Sequence, residues 1–383
     1  MNYKKNDSIS TDSEDRQKYE RLIHKNCRQK NGILKDLFYF SAKYDLSFAL
    51  KALFRQQVKS GFILSDPVLL SQKGHEKTYF DPKTSINFIF QWNPDRELRK
   101  NHQLLIQRGI IQKDIDSHRF IHKDNHNKPC YLCKHNIDLQ NPKEILFPLH
   151  LNNEIFFAGA NFAPITNNHF TIFPFQHRPQ KYNKKTLFIM EDFLDQTKGN
   201  FRIIFNGRAG ASIEKHEHFQ GTSIPLPIEK IDLNNQNIIF HHKSLQIFHP
   251  FYYLPLWVFQ AQKKDLLNQH LDIFLKKWRQ INPEFHTQNL LALKKGQSYF
   301  FYLFLRHRKK LIVKEKAGAP ATFEASGLFV FSVKPIFDKD MIKKDPIFRG
   351  LTDFDIIIKI LDNISPVLSP KTRNDLNNFN NSF

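Results

Sequence analysis

The chain has 383 residues, a formal net charge of +20 and an isoelectric point near 9.7. That length admits one large domain or two smaller ones, and the charge predicts anionic partners, which nucleotides and nucleic acids satisfy equally. The absence of any apolar run of roughly 18 residues argues against a membrane partner, and three cysteines, Cys27, Cys130 and Cys133, argue against a disulfide framework and for a reducing, cytoplasmic setting.

Residues 1–15 are polar, lack an apolar signal core and read as a disordered tail. From 16 to 110 the sequence predicts a mainly helical extension. Its clearest element is Asp45 to Lys59, where Leu46, Ala49, Leu50, Leu53, Phe54 and Val58 recur at helical spacing and Gly61 offers a stop. Asn87 to Trp92 alternates weakly and leads into Asn93-Pro94-Asp95-Arg96, in which Arg96 is a candidate phosphate contact; a solvated arginine is the competing reading. Cys130-x-x-Cys133 follows, open to redox, buried-thiol or metal use. Ile155 to Phe157, His169 to Phe175 and Arg202 to Phe205 read as strands. Between the last two, Leu187, Met190, Glu191 and Leu194 mark a helix that Gly199 ends.

Gly210 to Pro225 is the centre of the chain: GASIEKHEHFQGTSIP. On an extended strand His216, His218, Gln220 and Thr222 share one face. Gly207, Ala209, Gly210 and Ala211 before them permit a tight turn and close approach of a ligand, and the Ser212 hydroxyl could reach an anion. An H-x-H pair alone is more often a surface pair or a metal-ligand pair than a catalytic one.

Later segments repeat the strand–helix pattern. Ser244 to Phe248 and Leu254 to Phe259 read as strands, Lys264 to Ile281 as a helix with Leu267, Leu271, Phe274, Leu275 and Trp278 on one face. Asn289 to Leu293, Tyr299 to Leu305, Leu311 to Val313 and Leu328 to Val333 are apolar runs of the kind buried on both faces. Arg306 to Lys310 reads as a basic strand end or turn, Phe354 to Leu361 as a last helix, and 366–383 as a polar tail. The organisation expected is therefore 16–110 as extension, 111–230 as catalytic half and 231–365 as a second half without the motif.

The segment Asn206-Gly207-x-Ala209-Gly210-Ala211-Ser212-x-x-x-His216-x-His218-x-Gln220 resembles the active-site segment of the histidine-triad superfamily. It is most similar to the branch of galactose-1-phosphate uridylyltransferases, diadenosine tetraphosphate phosphorylases and GDP-hexose phosphorylases. Pro174-x-x-His177 is similar to that superfamily's strand end, and Gln91-x-Asn93-Pro94-x-Arg96 resembles an element of uncharacterised bacterial relatives. The resemblance implies an α+β fold with an antiparallel sheet, flanking helices and two fused halves, the second degenerate. It implies His218 as nucleophile on an α-phosphate, and Gln220, Asn206, Gly210, Ser212 and Arg96 as contacts to phosphoryl oxygens. Glutamine at 220, where hydrolases carry a third histidine, implies transfer or phosphorolysis. The sequence departs from the uridylyltransferases at Glu217, where those have proline. Their metal pattern, carried over residue by residue, gives structural zinc on Cys130, Cys133, His177 and His216.

The implied substrate is a nucleotide sugar of GDP-hexose type, with inorganic phosphate or a sugar phosphate as acceptor. Dinucleoside polyphosphate phosphorolysis or hydrolysis is the alternative. A non-enzymatic nucleotide- or RNA-binding role ranks lower, because no aromatic stacking motif for RNA is recognisable. Assembly as a homodimer stays open.

Overall fold

A computed structural model describes residues 13–64, 75–98, 101–123, 128–211, 213–309, 320–331 and 353–379. The expected tail at 1–12, the expected strand Leu311 to Val313 and the tail residues 380–383 lie outside the described residues.

The centre is a ten-stranded antiparallel sheet in the order β3-β4-β5-β7-β6-β11-β12-β10-β9-β8. Its strands are β3 (Leu146–Leu151), β4 (Glu154–Ala160), β5 (Phe170–Pro174), β6 (Arg202–Asn206), β7 (Phe219–Thr222), β8 (Ile238–His242), β9 (Leu245–Phe248), β10 (Leu256–Ala261), β11 (His286–Lys295) and β12 (Ser298–His307). The two halves of this order mirror each other. Each half runs three strands, one helix and two more strands, and each places its last strand between the third and fourth. The duplication implied by the sequence is thus visible in the topology. The halves join where β6 pairs with β11, from Asn206 opposite Asn289 to Ile203 opposite Ala292.

Helices cover one face. They are α1 (Ser13–Ile23), α2 (Lys30–Lys43), α3 (Leu46–Lys59), α5 (Lys184–Gln196) and α6 (Lys264–Ile281), with the short α4 (Lys134–Gln140) between the third and fourth of these in sequence but on the other face. Local chemistry sets their starts. The Asp45 carboxylate caps α3 by accepting from Phe48 N at 2.9 Å, and the Asn183 side chain caps α5 together with Thr186. Gly199 ends the turn after α5 at φ +73°, where a Cβ would lie 2.7 Å from the Lys294 carbonyl oxygen. In α6 the five predicted apolar side chains are all fully buried. Each is worth about 1.5–3 kcal/mol against exposure, which outweighs the modest helix propensity of an isolated segment.

The opposite face is covered at one end by α4 and at the other by a separate three-stranded sheet of order β1-β2-β13 and by α7 (Asp353–Ile364). Here β1 is Glu76–Asp81, β2 is Ile86–Trp92 and β13 is Leu328–Phe331, which pairs with β2 in parallel. Three expectations change. The 16–110 extension is not mainly helical throughout, since 76–92 is a hairpin. Asp15, read as tail, begins the first helix buried, held by Tyr39, Tyr44 and Lys43. The polar segment after Pro366 forms α8 (Pro370–Asn377), whose Leu376 and the following Phe379 are buried on α6. Among the described residues no helix is long and apolar enough to cross a membrane.

Candidate active site and metal centre

Two loops and one strand end bring four soft ligands together. Cys130, Cys133, His177 and His216 offer ligand atoms that all lie within 4.8 Å of one another. Cys130 Sγ is 3.4 Å from His216 Nδ1, Cys133 Sγ is 3.2 Å from His177 Nδ1, and Cys133 Sγ is 3.7 Å from His216 Nδ1. A tetrahedral ion with Zn–S and Zn–N bond lengths sets S···N edges of about 3.6 Å, so the cluster has the size of a four-ligand metal site. The loop carrying the cysteines is fixed from behind. Asn136 of α4, fully buried, donates to the carbonyls of Ile121 and Cys130 and accepts from Ile121 N, while Cys133 occupies the N-cap position of α4.

His216 is oriented by its other nitrogen. Nε2 lies 3.2 Å from the Pro174 carbonyl, which can only accept, so Nε2 carries the proton and Nδ1 presents a lone pair to the cluster. The Cys130 thiol is pushed down to about 4, first by the hydrogen bond from Cys133 and then by His216, against the opposing effect of burial; Cys133, the donor of that bond, is pushed up. Burial pushes His177 down, keeping it neutral as a ligand must be.

His218 follows two residues later, on the entry to β7 rather than within it, because regular strand pairing begins at Phe219. Its Nδ1 donates to the His216 carbonyl at 3.0 Å, which leaves the Nε2 lone pair outward. Burial lowers its pKa, so the ring is neutral near pH 7. Glu217, between the two histidines, faces away. Its buried carboxylate accepts from Arg178 Nε at 2.6 Å, and Arg178 also pairs with Glu154 at the start of β4. Burial pushes the Glu217 carboxyl up while Arg178 pulls it down. The position that is proline in the uridylyltransferases is here one half of a buried ion pair.

Gln180 went unnoticed in the sequence. It is buried, and its amide makes three bonds: Oε1 accepts from His218 N at 2.7 Å, and Nε2 donates to the carbonyls of Asn206 at 2.6 Å and His218 at 3.0 Å. The β6–β7 ladder pairs Ile204 with Gln220, so continuing it would place Asn206 opposite His218. Gln180 is wedged there instead, and splits the two strands where the candidate nucleophile stands.

The remaining predicted residues are placed as follows. Gln220 lies in β7, and its Oε1 is buried without a partner among the described residues. Asn206 Oδ1 accepts from Thr322 N and Thr322 Oγ1 at 3.0 and 2.5 Å, so its side chain pins the 320–325 segment. Gly210 (φ +91°) and Gly207 are small for a packing reason: a Cβ would lie 2.8 Å from Ala321 at Gly210 and 2.4 Å from the Gln288 carbonyl oxygen at Gly207. Ser212 lies outside the described residues. Arg96 donates to the Ala163 carbonyl at 3.1 Å, and its charge acts on the half-buried Glu324. Arg306, read as part of a basic turn, is instead fully buried; it donates to the Pro320 carbonyl at 2.8 Å and, through Nη1, to Asn289, and burial pushes it down to about 10.

A family model described as a domain of unknown function (DUF4922) matches residues 112–223, a span that holds all four cluster residues, His218 and Gln220. The galactose-1-phosphate uridylyltransferase of Fusobacterium nucleatum subsp. nucleatum is 26% identical over 227 residues, 51% of this chain and 43% of that protein. Both matches fall on the part of the chain that resembles the uridylyltransferase–phosphorylase branch of the histidine-triad superfamily. The chain matches less than half of that relative's length. Among solved structures, yeast Ap4A phosphorylase Apa2 in complex with Ap4A is 13% identical with a TM-score of 0.46, covering 78% of this chain and 94% of that one. Apa2 without that ligand is 15% identical, also at 0.46, covering 84% and 97%.

Proposed function

We propose that this chain is a nucleotidyltransferase or phosphorylase that carries a nucleotidyl group on His218. The observation that supports this most is the arrangement of that ring: buried, neutral, with Nδ1–H spent on the His216 carbonyl and Nε2 left as a nucleophile. His218 Nε2 attacks the α-phosphorus of a nucleoside diphosphate compound. A P–N bond forms, the P–O bond to the phosphorylated leaving group breaks, and the leaving oxygen takes the electron pair. The imidazolium so formed is held by the His216 carbonyl. Gln220, whose amide oxygen has no partner among the described residues, turns its amide toward the transferred group and donates to a phosphoryl oxygen. A phosphate oxygen of the acceptor then attacks phosphorus, and the P–N electron pair returns to Nε2. An amide at 220 is a poor acid toward a leaving group or water, so an anionic acceptor is favoured over hydrolysis.

Cys130, Cys133, His177 and His216 would hold zinc, the metal whose bond lengths suit their separations. When bound it fixes the His216 backbone and ring. His216 in turn holds His218 through its carbonyl.

The first substrate class is a nucleotide sugar, with phosphate or a sugar 1-phosphate as acceptor. Incubation with α-labelled nucleoside diphosphate sugars and dinucleoside polyphosphates, with and without phosphate, tests it. Phosphate-dependent release of a nucleoside diphosphate is expected. Equal accumulation of nucleoside monophosphate with and without acceptor would identify a hydrolase.

A further inference from the structure

A half-open pocket lies between the small β1-β2-β13 sheet and the loop after β7, lined by Glu76, Ile89, Gln91, Thr166, Pro225 and Leu328 among others. It is tied to the strand of the candidate nucleophile, because Thr166 Oγ1 meets Thr222 Oγ1 at 2.7 Å. Thr222 is two residues beyond Gln220 and four beyond His218 in sequence. Four residues of chain reach at most about 13 Å, and within β7 alternate residues share one face. By sequence offset along β7 the order from the pocket is Thr222, Gln220, His218, which is the order base, phosphoryl oxygen, phosphorus of a nucleoside monophosphate.

Thr166 and Asn167 line this pocket with groups that can donate or accept, whereas Gln91 and Glu76 present acceptors side by side. Gln91 Nε2 donates to the Ile165 carbonyl at 2.9 Å and to Glu76 Oε1 at 3.1 Å, which fixes the orientation of the amide. Gln91 Oε1 is thereby left buried with no donor among the described residues, in a residue only 2% exposed. A buried acceptor without a donor costs stability, and such a group calls for a ligand that supplies one. Beside it stands the Glu76 carboxylate, also acceptor-only when ionised. Ile89, Leu328 and Pro225 supply apolar walls for a planar ring.

We propose that this pocket is a nucleobase subsite that selects guanine, a reading that rests on the nucleotidyl-transfer function proposed above. Guanine is the common base with two adjacent donors on its pairing edge, N1–H and the 2-amino group. These match Gln91 Oε1 and the Glu76 carboxylate. Adenine and cytosine each offer one amino group next to a ring-nitrogen lone pair, and uracil offers one N–H between two carbonyls. Each would set a lone pair against the Glu76 carboxylate or leave Gln91 Oε1 unpaired. Sites built on such hydrogen bonds discriminate far more strongly than apolar pockets do.

The test is calorimetric binding of GMP, IMP, AMP, UMP and CMP to the full chain, followed by Glu76→Gln. GMP is expected to bind about 100-fold tighter than AMP or UMP. IMP, which keeps N1–H but lacks the 2-amino group, is expected about 10-fold weaker than GMP. Glu76→Gln, a half-buried position, should narrow the GMP preference about 10-fold and raise KM for a guanosine donor. Equal or tighter binding of AMP or UMP, or a Glu76→Gln protein with unchanged preference, overturns the proposal. Binding is read without chemistry, so the two readings fail separately. Selective GMP binding with no nucleotidyl adduct leaves the subsite standing and removes the transfer reading; an adduct formed equally well from uridine or adenosine donors does the reverse.

Discussion

Gln180→Ala removes the amide wedged between β6 and β7. Three buried backbone groups lose their partner: the His218 N–H and the carbonyls of His218 and Asn206. Left unsatisfied, they would cost about 1–3 kcal/mol each. The structure offers a partial remedy, because the ladder register already points Asn206 at His218. Closing by one pair would recover part of that cost, so the expected loss of stability is about 2–4 kcal/mol. The same closure pulls His218 out of its splayed position. A displacement of about 1 Å at a reacting group costs on the order of 100-fold in rate. Gln180→Ala should therefore lower kcat about 100-fold, leave KM within about two-fold, and keep its metal. Stopped-flow formation of the nucleotidyl adduct, thermal unfolding and metal content read these separately. A kcat within two-fold of wild type in a folded, metal-loaded variant would refute the wedge argument.

Other consequences are equally direct. Cys130→Ser should lose metal and stability together, because ligand binding and folding are coupled in such clusters; metal analysis with and without chelator checks it against an expected ratio of about one zinc per chain. Arg178→Ala leaves the Glu217 carboxylate buried and unpaired beside the two histidines, and chemical denaturation should show a loss of about 3–5 kcal/mol. Glu191 in α5 is buried, and burial pushes its carboxyl from 4.5 to about 7. The folded state then keeps a proton that the unfolded state has lost. Stability is fully present below pH 4.5 and is lost as pH rises through 7, by about 3 kcal/mol in all. Glu191→Gln should flatten that slope in denaturation measured from pH 4.5 to 8, while an unchanged slope would mean the proton sits elsewhere. Among the described residues neither Glu191 Oε1 nor Asn268 Oδ1 has a donor, which the retained proton would supply.

Where periodicity and burial agree, the sequence is readable. The helix at 264–281 carries its apolar stripe through five turns, and its bounds match. The long β11–β12 hairpin shows as uninterrupted apolar runs because both its faces are covered. The cysteine–histidine cluster is legible only through the family resemblance, because Cys130-x-x-Cys133 by itself is equally open to redox, buried-thiol or metal use. Other features were hidden because tertiary partners decide them. Strand β7 is short since Gln180 and the cluster hold His216 and His218 outside the ladder, and nothing local to Gln180 marks it as a wedge. Arg306 reads as surface charge until Pro320 and Asn289 are seen to enclose it. β13 resembles another strand of the main sheet, yet pairs in parallel with β2 on a different layer. The glycines of the 207–210 loop suggest room for a ligand in the sequence, whereas β11 and Ala321 already fill the space a Cβ would need.

The central claim is that His218 carries the nucleotidyl group. The full chain should be incubated with an α-labelled donor in the absence of acceptor, quenched, and digested to locate the label. The account predicts an acid-labile phosphoramidate on the peptide containing His218, absent in His218→Asn and restored in function to His218→Gly by free imidazole. A labelled adduct of equal yield in His218→Asn, or label on His216 in the metal-loaded protein, would contradict it.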